Sequence, residues 1–231
     1  MLILAIDTAL DACSAAVLDT DAGVLLAQEQ LLMKRGHAEA LMPMIARVMQ
    51  SADCAFTALD RIAVTVGPGS FTGLRVGISA ARGLALAAGR PAVGLTTLSA
   101  YAAAIVGQSG PAPVISAIDA RHDHVYFQIV GGDGGQLVRP KIASIDEAIA
   151  ASQFGAPHLV GNAAKILAER WPADAPPPAT VDAQPAPDIG WVAWLGAAAD
   201  PDTNPPRPFY LKAPDAKPAA QPLFAAQAAS S

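Results

Sequence analysis

The chain has 231 residues, enough for a core that folds without disulfide or metal support, and its 15 Lys and Arg against 20 Asp and Glu leave a net charge of -5. No lysine or arginine run is present to neutralise many phosphates, which excludes a strong, independent nucleic-acid binder. The mean hydropathy of +0.35 raises the question of a membrane span, but the charge-free stretch Pro91 to Ile118 is cut by Gly94, Gly107, Gly110, Pro111 and Pro113, and a strand, a short helix and a further strand explain it better.

Leu2 to Ile6, Ser14 to Leu18 and Val24 to Leu31 are short apolar runs separated by Asp, Thr and Gly turns, and predict three successive strands. From His37 to Met49, Leu41, Ile45, Val48 and Met49 recur at helical spacing, with Pro43 expected near the first turn or at a kink. Arg61 to Val66 predicts a fourth strand, Gly67 to Thr72 a turn, Gly73 to Ala88 a second helix and Pro91 to Leu95 a fifth strand. The resulting βββαβα order followed by β describes one half of an α/β, actin-like or Hsp70-like ATPase fold. A smaller second half is expected, with paired strands at 114–119 and 125–130, a turn near Asp133-Gly134-Gly135, and helices at 146–151 and 163–170. Proline dominates 171–188, which predicts an extended loop, and no repeat of fixed period is evident. The expected division is an N-terminal domain at 1–108, a smaller domain at 109–212 and a disordered tail at 213–231. Cys13 and Cys54 have no CxxC spacing, and no signal sequence is recognisable, so a reducing cytoplasm is expected.

Gly67-Pro68-Gly69-Ser70-Phe71-Thr72-Gly73 joins a strand to a helix, which is where backbone N–H groups can meet an anion. No Gly-Lys-Ser/Thr ending occurs, and the glycines follow GxGxxxG rather than GxGxxG, so a tight turn with close backbone packing is the stronger reading. Within the helix, Gly73, Gly77, Ala81, Ala85 and Gly89 fall every four residues and form a ridge of very small side chains. Either another helix or the chain's own sheet can approach it. Arg75 and Arg82 lie off the ridge, and Ser70 or Thr72 can cap the helix. His122 and His124 share one side of a strand but lack a third ligand. Asp7 ends the first strand, where it suits a turn cap or magnesium.

Together, Ile6-Asp7-Thr8-Ala9, the helix start from His37-Ala38-Glu39 to Leu41-Met42-Pro43, GPGSFTGLRVG at 67–77, Asp119-Ala120-Arg121 and Pro208-Phe209-Tyr210-Leu211-Lys212 resemble the TsaB (YeaZ) family. The resemblance implies a non-catalytic subunit, with no cofactor or metal of its own, of the bacterial tRNA threonylcarbamoyladenosine (t6A) machinery. Its implied partners are a TsaD-like paralogue, which transfers threonylcarbamoyl to adenosine of tRNA, and a TsaE-like ATPase; tRNA is reached indirectly, through the complex. Thr97 and Tyr101 stand where the paralogue's motif carries two metal-binding histidines. The family further implies a helix bundle with TsaD, for which the expected interface is His37, Leu41, Ile45 and Val48 of the first helix and Phe71, Gly73, Leu74, Gly77, Ile78, Ala81, Arg82 and Ala85 of the second. The same surface is expected to support a homodimer in isolation. The alternatives are an actin-like-fold metallopeptidase (glycoprotease-like) or phosphotransferase, and a homodimer with no dedicated partner.

Overall fold

In a computed structural model of the chain, which describes residues 1–107 and 110–211, the opening apolar runs form strands β1 (Leu2–Asp7), β2 (Ala12–Asp19) and β3 (Val24–Leu32). Lys212 and the tail expected at 213–231 lie outside the described residues. β1 is buried along nearly its whole length, antiparallel to β2 on one side and parallel to β4 (Arg61–Gly67) on the other. A strand covered on both faces needs unbroken apolar sequence, which LILAI supplies. β3 closes one edge with an alternating pattern, its polar Gln28 and Gln30 discouraging further pairing. β5 (Ala92–Thr96) pairs parallel with β4, giving the order β3-β2-β1-β4-β5. Helices α1 (His37–Ser51), α2 (Phe71–Ala88) and α3 (Thr97–Ala103) follow β3, β4 and β5, so the expected order holds.

The second half comprises β6 (Val114–Arg121), β7 (His124–Val130), β8 (Gln136–Ser144), α4 (Ile145–Ile149), β9 (His158–Val160), α5 (Ala164–Glu169), β10 (Thr180–Asp182) and α6 (Ile189–Ala198). Its sheet runs β8-β7-β6-β9-β10, with β6–β7 and β7–β8 antiparallel and β6–β9 and β9–β10 parallel. This is the pairing scheme of the first sheet over again. The half is reduced in length rather than in topology, since β9 and β10 have three residues each. One expectation needs correction and two elements had no sequence-based expectation. The segment 171–188 is not entirely loop, because it contains β10; a full strand, β8, follows the turn near 133–135; and 189–198 is helical.

The two halves are joined by an exchange of helices. α6 packs on β1, β2 and β4 of the first sheet, while α3 packs on β6 of the second. Close approach requires a glycine in α6, since a Cβ added at Gly196 would collide with the Cβ of Ala63 on β4. At the end of α6, the Arg61 guanidinium donates from Nη1 to the carbonyls of Gly196, Ala197 and Ala199. Those carbonyls have no partner within the helix, and they carry the negative end of its dipole. Arg61→Met is therefore expected to lower stability by about 2–3 kcal/mol, read as a lower urea midpoint with an unchanged slope. Among the described residues, no helix is long and apolar enough to cross a membrane.

Candidate partner interface

The GPGSFTG turn is packed against the loop that follows β1. Ser70 N donates to Ala9 O (2.7 Å) and Thr8 Oγ1 donates to Gly73 O (2.7 Å). A Cβ added at Gly69, Gly73 or Gly77 would collide with Ala9 O, Thr8 O or Thr8 Oγ1 respectively. These glycines thus serve close backbone packing inside the chain. Ser70 caps α2, accepting from Gly73 N at 3.3 Å. The Gly67-Pro68 peptide is cis.

The same geometry decides the ridge. Gly73, Gly77, Ala81 and Ala85 face the first sheet, together with Leu74 and Ile78. On α1, Leu41, Ile45 and Val48 are likewise buried in the chain's own core, and Pro43 lies in the helix interior rather than its first turn. His37 is buried, with Nε2 3.1 Å from Leu10 O. Of the twelve residues expected at the interface, only Phe71 and Arg82 are exposed. The other ten are buried within the chain, the small residues of α2 against its own sheet.

The outward faces carry different side chains. Leu86 is 85% exposed, Phe71 49% and Met42 47%. Arg75 places its guanidinium carbon 3.9 Å from the Phe71 ring centroid, and Tyr210 stacks on the same ring with centroids 5.6 Å apart. The result is a surface stack, Arg75–Phe71–Tyr210, at the start of α2. Gly83, also outward, has nothing within 4 Å of an added Cβ, so the close packing that explains Gly73 and Gly77 does not explain it. Arg75 and Arg82 make no ion pair among the described residues, whereas Arg47 of α1 is held by Glu29 at 2.6 and 3.0 Å.

Asp7, the last residue of β1, has the contacts of a turn cap. Its Oδ1 accepts from Ala9 N (3.0 Å) and from the Thr65 hydroxyl, while Oδ2 is buried without a partner. Burial pushes its pKa up, against the opposing hydrogen bonds from Thr65 and Ala9 and the charge of His37. A carboxyl whose pKa is higher folded than unfolded loses native stability as pH rises from about 4 through the folded value. Asp7→Asn is expected to remove that decline and unfold at higher urea than the parent at pH 7. Asp7→Ala, which strands the Thr65 and Ala9 donors, lowers the midpoint at all pH values.

Thr97 and Tyr101 lie one turn apart on α3, both buried, and the Tyr101 hydroxyl donates to Gln184 O at 2.9 Å. His124 Nδ1 lies 2.7 Å from His122 O, and Asp123 between them pairs with Arg170 at 2.8 Å. Among the described residues, no group of three His, Cys, Asp or Glu could hold a metal ion.

A family model described as TsaD, tRNA N6-adenosine threonylcarbamoyltransferase, matches residues 28–181. The tRNA threonylcarbamoyladenosine biosynthesis protein TsaB of Escherichia coli (strain K12) is 40% identical over 127 residues, 55% of this chain and 54% of that protein. That of Haemophilus influenzae is 36% identical over 142 residues, 62% and 56% of the two chains. The chain thus spans about half the length of these curated relatives. An uncharacterised protein of Mycobacterium tuberculosis is 33% identical over 221 residues, covering 94% of this chain and 95% of that one. Among solved structures, YeaZ from Pseudomonas aeruginosa superposes with a TM-score of 0.73 at 28% identity, covering 91% of this chain and 99% of that one.

Proposed function

The chain belongs to the TsaB (YeaZ) family, and on that premise we propose that it acts in tRNA threonylcarbamoyladenosine biosynthesis as a non-catalytic subunit, pairing with a TsaD-like catalytic paralogue and working with a TsaE-like ATPase. The observation that carries this reading is the outward face of α1 and α2. Arg75, Phe71 and Tyr210 form a stack at the start of α2, and an almost fully exposed Leu86 and the small Gly83 lie further along the same helix. Exposed aromatic and arginine side chains are those that dominate protein–protein affinity when a partner covers them. The non-catalytic role is supported by Thr97 and Tyr101, whose side chains are poor ligands for a divalent metal beside imidazole. It is supported also by Asp7, whose Oδ1 accepts from Thr65 and Ala9 in the manner of a turn cap.

The buried residues of α1 and α2 act in this reading as the support of the interface. Leu41, Ile45, Val48, Leu74 and Ile78 hold both helices on the sheet, so that the outward side chains are presented on a rigid platform. In the absence of a partner the same face would take a second copy of the chain, the two complexes competing as a difference of affinities.

Light scattering after size exclusion tests the proposal, with the chain alone, the TsaD-like paralogue alone and the mixture. A one-to-one complex, together with t6A formation on tRNA only when both proteins and the ATPase are present, is expected. ATP turnover or threonylcarbamoyl transfer by the chain alone would instead support an enzyme.

A further inference from the structure

A cavity of about 420 Å³ opens between α3, α6 and β7, and none of its lining residues belongs to α1 or α2. Its size is that of a small-molecule site. Trp191 and Trp194, one turn apart on α6, stand on one side, and the small side chains Ala102 and Ala103 of α3 on another. Gln128 of β7 supplies the polar group. It is only 3% exposed, and its amide makes no hydrogen bond among the described residues. Directly across the strand pair, Ser116 Oγ is also buried without a partner. Ser116 Oγ is fully enclosed and carries a desolvation penalty until some group reaches it, whereas the Gln128 amide lines a cavity bordered by two indoles, where its donor and acceptor are open to a ligand.

We propose that this cavity binds an uncharged, planar heteroaromatic ring of the nucleobase class, stacked on Trp191 and Trp194 and hydrogen-bonded at its edge to Gln128. A carboxamide sets a donor beside an acceptor, the pattern that adenine presents in reverse through its amino group and ring nitrogen. Indole faces stack on any base. No lining side chain is charged, so a phosphate finds no partner inside and stays at the mouth, where Trp194 is 38% exposed. A free nucleoside and an unpaired base of an RNA share this chemistry. The inference stands apart from the partner face and does not require it.

The test is a titration of the full chain with adenosine and with single-stranded oligoadenylate, followed by tryptophan fluorescence and calorimetry. Saturable quenching by adenosine is expected with a Kd below about 1 mM. Gln128→Leu should weaken it about tenfold or more, and so should Trp194→Ala, whose partly exposed position lets the fold persist. Trp171→Phe, partly buried against the core of the second half and outside the cavity lining, should leave affinity unchanged. Tighter binding of the oligonucleotide than of adenosine assigns the site to RNA; equal or weaker binding assigns it to a free nucleoside. No saturable binding up to about 10 mM, or binding indifferent to both Gln128→Leu and Trp194→Ala, overturns the proposal and leaves the cavity to water.

Discussion

Leu86→Asp and Phe71→Asp are each expected to separate the chain from the TsaD-like partner proposed for it, leaving two peaks where the parent pair is expected to run as one. Leu86 is 85% exposed and Phe71 49%, so neither substitution disturbs the monomer core, and circular dichroism and the urea midpoint should match the parent. At the centre of an interface such a change removes an anchor and buries an unpaired carboxylate. The expected loss is about 2–4 kcal/mol, or roughly 30- to 1000-fold in Kd. Arg75→Ala should be milder, near 1 kcal/mol, because it removes one cation–π contact with Phe71. Parent-like affinity in both aspartate variants would show that the partner, if it binds, uses another face.

Gly73→Ala and Gly77→Leu should fail for a different reason, in the monomer itself. The Cβ of an alanine at 73 would collide with the Thr8 carbonyl, which is backbone and cannot swing away, and the helix would have to lift off the loop that follows β1. The contacts broken on the way include the hydrogen bond from Thr8 Oγ1 to Gly73 O and the core contacts of Leu74. A cost of about 3 kcal/mol or more is expected for Gly73→Ala, a large share of the stability of an ordinary domain. Gly77→Leu adds an isobutyl group beside Thr8 and Val64 and should unfold the chain or leave it insoluble. Gly83→Ala is the control from the same helix. With open space around its Cβ, it should gain up to about 1 kcal/mol in the isolated chain. Urea titrations of the three variants order them directly, and an undiminished midpoint in Gly73→Ala would contradict the packing described for the Thr8 loop.

The contrast between these glycines shows how far periodicity reaches. A repeat every four residues locates one face of α2, but the face that touches the sheet and the face that meets a partner have the same spacing. Only the position of the Thr8 loop separates them. Tyr210 lay in a recognised motif, yet its stacking on Phe71 depends on a segment more than a hundred residues downstream returning to β4, where Phe209 N donates to Val66 O at 2.7 Å. Leu86 carried a faint signal, being a large apolar side chain off the inward stripe of an alanine-rich helix.

By itself the sequence determined the local elements of the first half and the family. The apolar runs of β1 and β4, the amphipathic spacing of α1 and the GPGSFTG turn are short-range patterns, set by burial periodicity and by backbone sterics within a few residues. Tertiary structure decided the rest. α6 is apolar on nearly every side because it lies against the first sheet and borders a cavity, so no polar face marked it as a helix. β9 and β10, with three residues each, are too short to show alternation; β9 exists because β6 offers it an edge, and β10 because β9 does. Which small residues face inward and which side chains remain outside depends on long-range packing, because burial is a property of what approaches a residue and not of the residue alone.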